Sequence, residues 1–150
     1  MQTRPEFFVG QSASLVRTVT AEEVETFARA TGDKNPIHLD EAYAAHTRFG
    51  RRIAHGMLIA SYISVLLGTK FPGPGTIYMS ETLKFLRPVF LGDEVTVSVT
   101  VSAYRPDRAI LTLDAAVRNQ RGEKVLSGEA VCLVDDVLGP AVQASGAAAG

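Results

Sequence analysis

A single cysteine in 150 residues excludes an internal disulfide and any zinc site built from several thiolates. That residue, Cys132, lies in GEAVCLVDD, which alternates like a strand, so it reads as a small buried side chain rather than a nucleophile. Charge of neither sign dominates: 15 Lys and Arg face 16 Asp and Glu, for a net charge of -1. No basic face for nucleic acid is expected, although a local basic patch for a phosphate-bearing ligand stays open. Long hydrophobic runs are also missing. The longest, Met57 to Leu67, is broken by Ser61 and Ser64 and falls short of the roughly 20 apolar residues that cross a bilayer. The opening MQTRPEFFVGQSASL has no continuous apolar stretch of the secretory kind. A cytoplasmic protein without a membrane partner is the expectation. There is no internal repeat, no Gly-x-Gly-x-x-Gly, no Gly-x-x-x-x-Gly-Lys-Ser/Thr and no Gly-x-Ser-x-Gly. Nucleotide loops and serine-hydrolase elbows of those kinds therefore lack a signal.

What is present is the makeup of one ordinary globular domain, with 46% apolar and 21% charged residues. The domain is placed at residues 1–136. Residues 137–150, which end in a Gly- and Ala-rich stretch, are expected to form a flexible tail. SASLVRTVT alternates and predicts a first strand. Thr20 followed by Glu23 is a capping box, and Val24, Phe27 and Ala28 share one face of the helix it starts. Gly32 suits the left-handed turn that ends that helix. Asp40 is an N-cap for a second short helix through EAYAAHTRF. HGMLIASYISVLLGTKF is apolar around nearly its whole circumference, which predicts a helix buried on most sides and ending near Gly68. The remainder reads as four strands, TIYMSETLKFLRPVF, VTVSVTVSAY, AILTLDAAVRN and KVLSGEAVCLVDD, joined by polar turns. An antiparallel meander curved around the buried helix follows, an α+β class.

Two stretches carry candidate chemistry. In TGDKNPIHLD, Asp33 and His38 stand five residues apart on a loop stiffened by Pro36, with Asn35 able to hold its shape. A carboxylate and an imidazole so placed can hold one water and move its proton, although helix caps and turns use the same residues. In AHGM, Gly56 opens the buried helix, where free N–H groups and the positive dipole end can stabilise an oxyanion. The alternative is that His55 and Gly56 simply begin a helix. His38, Asp40, His46, His55 and Asp33 show no zinc-site spacing, so no metal is expected. Ser61 and Ser64 read as small polar residues that allow close packing or line a pocket.

TGDKNPIHLDEAYA, FGRRIAHGMLIASYIS and LKFLRPVFLGDEVTVSVTV together resemble the MaoC-like hydratase family, above all its short single-domain (R)-specific enoyl-CoA hydratases. The likeness covers roughly residues 10–134. It implies a hot-dog fold, a long helix wrapped by an antiparallel sheet, and a homodimer. It implies Asp33 and His38 as catalytic residues, Gly56 as the oxyanion-hole donor, and Asn35 and Ser64 in support. The implied reaction is reversible syn addition of water to a trans-2-enoyl-CoA, giving the (3R)-hydroxyacyl-CoA, with no metal or other cofactor. Such an enzyme would feed fatty-acid metabolism or polyhydroxyalkanoate synthesis. Arg51, Arg52, Lys84 and Arg87 are candidates for the CoA phosphates by composition. Met57, Tyr62 and residues near Tyr78 are candidates for the acyl pocket. An acyl-ACP substrate, as in a (3R)-hydroxyacyl-ACP dehydratase, would use the same chemistry. A non-catalytic acyl-binding subunit would be expected to lack the Asp or His. A hot-dog thioesterase would carry a carboxylate on the central helix, and Met57 to Gly68 has none.

Overall fold

The computed structural model describes residues 5–137. In chain order these form β1 (Ser12–Thr18), α1 (Ala21–Thr31), α2 (Pro36–Leu39), α3 (Glu41–Ala45), α4 (Gly56–Thr69), β2 (Ile77–Phe85), β3 (Glu94–Arg105), β4 (Ile110–Arg118) and β5 (Lys124–Leu133). The tail expected over 137–150 lies outside the described residues except for Val137, which is fully buried in the core.

Local signals set the first elements. The Thr20 hydroxyl accepts the Glu23 N–H at 3.1 Å, and the Glu23 carboxylate reaches back to the Thr20 N–H at 3.5 Å, closing the capping box of α1. Gly32 ends the helix at φ 81°, a left-handed conformation in which a side chain would be strained. Asp40 caps α3 by accepting the Tyr43 N–H at 3.0 Å. That helix stops at Ala45, well short of the expected length.

All five strands lie in one antiparallel sheet of order β1-β3-β4-β5-β2. Val95, Val97, Val99 and Val101 of β3 alternate inward and are buried, as their period of two requires. The inner face packs on α4 through Leu58, Ile59, Tyr62, Ile63, Leu66 and Leu67. A helix held in the concave face of an antiparallel sheet is the hot-dog arrangement. Gly68 lies within α4 rather than after it.

The four-strand meander needs correction, because β2 pairs with β5 and not with β3. The strand expected to run to Phe90 ends at Phe85. Pro88 follows, and the next residues bond elsewhere. Val89 C=O accepts the Ala54 N–H at 2.7 Å, and Phe90 bridges Ile53. This segment spends its backbone groups on the chain just before α4, so it crosses to β3 instead of turning back as a hairpin.

Gly128 of β5 sits where β2 comes closest. A Cβ there would stand 1.9 Å from the Thr82 carbonyl oxygen, a backbone atom that cannot swing aside. We expect Gly128→Ala to cost about 3 kcal/mol, at the upper end of overpacking effects. A fall in the denaturant midpoint, with amide exchange fastest in β2, is the readout. An unchanged midpoint would mean that β2 moves away freely.

Candidate active site

The loop after α1 is fixed by its own polar residues. Asp33 Oδ1 accepts the Asn35 N–H at 3.4 Å, and Asn35 Oδ1 accepts the Ile37 N–H at 3.2 Å. Asn35 thus caps α2, a helix the sequence did not disclose, with Pro36 in its first turn. His38 stands on α2 rather than on an extended loop. It is 9% exposed, whereas Asp33 is exposed.

Three bonds pin α2 against the segment before α4. Arg52 Nε–H donates to the His38 carbonyl at 2.7 Å, and the Ile53 N–H donates to the Ile37 carbonyl at 3.3 Å. His38 Nδ1 lies 2.8 Å from the Ile53 carbonyl oxygen. A carbonyl can only accept, so Nδ1 carries the proton. In the neutral ring Nε2 is then left with its lone pair. Burial holds the His38 pKa below its ordinary 6.5, and the neighbouring His55 pushes the same way. The Ile53 bond and Asp33 act in opposition.

Asp33, His38 and His55 each bring one donor atom within 4.8 Å of the others. Two acceptors that share one water at ~2.8 Å each stand about 4.5 Å apart, so the spacing suits a water held between a carboxylate oxygen and an imidazole nitrogen. The His38 and His55 rings lie against one another, with centroids 3.9 Å apart and planes at 31°.

His38 and Gly56 line one cavity of about 350 Å³, walled by Phe49, Ile53, Phe85 and Leu126. Gly56 is the first residue of α4, and its N-cap His55 makes no side-chain cap bond. The N–H groups of that first turn are therefore not consumed by a cap. Phe85 lies directly over Gly56, so a Cβ at Gly56 would stand 2.8 Å from the ring.

Other expected site residues are distributed differently. Ser64 does not line this cavity. It is exposed on α4, in a groove of about 490 Å³ that also contains Met57, Ser61, Tyr78 and Met79. Of the acyl-pocket candidates, Met57 and Tyr78 share that groove. Tyr62 is buried in the core, with its hydroxyl donating to Glu23 at 3.2 Å. Among the cations, Arg87 lines the cavity and pairs with Glu123 at 3.3 Å, and Arg51 stacks on Phe90 at 3.9 Å. Arg52 is a structural clamp between the His38 carbonyl and the carboxylates of Glu25 and Glu41. Lys84 faces a different hollow, beside Ser98 and Asp114. Arg48 at the cavity was missed, as no motif marks it. Cys132 is fully buried, and burial pushes its thiol up to about 11, which suits an inert core residue. No helix among the described residues is long and apolar enough to cross a membrane.

The fold recurs in known proteins. The (R)-specific enoyl-CoA hydratase of Aeromonas caviae is 50% identical over 123 residues, spanning 82% of this chain and 92% of that protein. The enzyme of the same name from Rhodospirillum rubrum is 46% identical over 125 residues, 83% of this chain and 86% of its own. The solved (R)-hydratase from A. caviae involved in PHA biosynthesis superposes with a TM-score of 0.82 at 49% identity, over 84% of this chain and 96% of that one. The model of the MaoC like domain matches residues 9–120, and the chain belongs to that family.

Proposed function

We propose that this protein is an (R)-specific enoyl-CoA hydratase, a hydro-lyase that adds water reversibly to a trans-2-enoyl-CoA and forms the (3R)-hydroxyacyl-CoA. The observation that carries the reading is the bond from His38 Nδ1 to the Ile53 carbonyl. It fixes the tautomer and leaves Nε2 as the acceptor of a ring that brings a nitrogen within 4.8 Å of the Asp33 carboxylate. The two acceptors would hold the two hydrogens of one water. Asp33 takes a proton as the water oxygen bonds to C3, while His38 orients the water. Charge develops on the thioester oxygen, and the Gly56 N–H at the start of α4 would receive it. The proton returned to C2 on the same face completes syn addition. This chemistry draws on no metal or redox cofactor. Arg48 and Arg87 are the cations we assign to the carrier's phosphates. Ser64 is assigned to the acyl groove.

The test is hydration of crotonyl-CoA and longer trans-2-enoyl-CoAs, with chiral analysis of the product. An S product would overturn the stereochemistry, and a large preference for acyl-ACP would move the protein to the dehydratases of fatty-acid synthesis.

The functional unit we propose is a homodimer joined through β2. That edge strand exposes Ile77, Met79 and Phe85, each more than half accessible. An edge so apolar invites pairing. The other edge, β1, exposes Ser12, Ser14 and Thr18 with a single large apolar side chain, Val16. Light scattering should give twice the chain mass, and Met79→Lys should lower it. A wild-type monomer at micromolar concentration would exclude this assembly.

A further inference from the structure

We propose that His55 is the positioning residue of the site, clamping the Asp33 main chain and the His38 ring to the start of α4. The proposal rests on reading Asp33 and His38 as the water-binding pair. His55 is 1% exposed, and its Nε2 lies 3.0 Å from the Asp33 carbonyl oxygen, 22 residues away in sequence. That oxygen only accepts, so Nε2 carries the proton and the ring is held as a donor. One face of the imidazole stacks on His38 at 3.9 Å, and Phe27 packs on the ring at 4.8 Å. Stacking fixes the plane of the ring, and the Asp33 bond fixes its rotation within that plane.

Two features argue against a simple space-filling role. His55 Nδ1 is buried without a hydrogen-bond partner, a cost that an apolar ring would avoid. The residue also occupies the N-cap of α4, where Ser, Thr, Asp or Asn would capture an N–H of the first turn. His55 turns its side chain to Asp33 instead. One residue thereby joins the carboxylate loop, the water-orienting imidazole and the oxyanion donor, and leaves that donor uncapped. The two stacked rings hold opposite tautomers, with the proton on Nδ1 in His38 and on Nε2 in His55.

Two variants and one spectrum test this. Gln places its amide N–H near the Nε2 position, whereas Phe keeps the stacked ring and loses the donor. His55→Phe should fold, as read by circular dichroism, and lose kcat on crotonyl-CoA by about tenfold to a hundredfold with KM changed by less than about threefold. His55→Gln should recover kcat to within about threefold of wild type. Nitrogen-15 NMR of histidine-labelled wild-type protein should show the Nε2–H tautomer for His55. Wild-type kcat in the Phe variant, Gln no better than Phe, or an Nδ1–H tautomer would each overturn the proposal. Should Phe fail to fold, the tautomer and the Gln rate decide. A wild-type protein inactive on every enoyl thioester overturns the hydratase reading instead, while the tautomer still reports whether His55 holds Asp33.

Discussion

Asp33→Asn and His38→Gln are each expected to lower crotonyl-CoA hydration at least about a hundredfold, the scale of a lost general acid–base contribution. The Asn substitution is a clean one. Its Oδ1 can still accept the Asn35 N–H, so the loop geometry survives while the negative charge and basicity go. At position 38, Gln loses the ring whose Nδ1–H bond to Ile53 leaves Nε2 as the acceptor. The two residues act on one water, so their effects should not add. The double variant should be little slower than the slower single one. Disappearance of the enoyl-thioester absorbance follows the rate, and circular dichroism checks the fold. Folded single variants with near-wild-type rates would remove these residues from the mechanism.

Much of this site was legible because it rests on local chemistry. The capping box and Gly32 dictate a helix start and a helix end, and both formed as their chemistry requires, whereas Asn35 and Pro36 open a short helix where the sequence reads as a stiff loop. Their consequence is that Asp33 and His38 meet. The period of two in β3 and the apolar circumference of α4 likewise encode burial directly. Strand order was less legible. β2 and β5 look alike in pattern, and it is a long-range ladder, from Ile77 opposite Leu133 to Phe85 opposite Leu126, that places β2 beside β5. His55 was read as a helix start because its partner, the Asp33 carbonyl, is a backbone atom that leaves no mark on the sequence. The exposed stripe of Met57 and Ser64 on an otherwise apolar helix has a similar origin. A pattern shows which residues prefer burial, not which face the single chain leaves uncovered.

Acidification should produce the other large effect. His38 works only while Nε2 keeps its lone pair. Burial lowers its pKa from 6.5, so the ring is neutral at pH 7 and stays neutral somewhat below 6.5. The profile of kcat/KM should be flat on its acid side down past pH 6.5, then fall about tenfold per pH unit below the lowered pKa. Stability should move with it. The unfolded chain titrates His38 near 6.5 and the folded protein lower, so the unfolded state binds more protons in between. The His38 contribution is fully present above 6.5 and is lost as pH falls through the folded value. An acid limb at or above pH 6.5 would show that burial does not govern this ring. Asp33→Asn gives a further check through its residual rate. The Asp33 charge raises the His38 pKa, so removing it should move the acid limb to still lower pH.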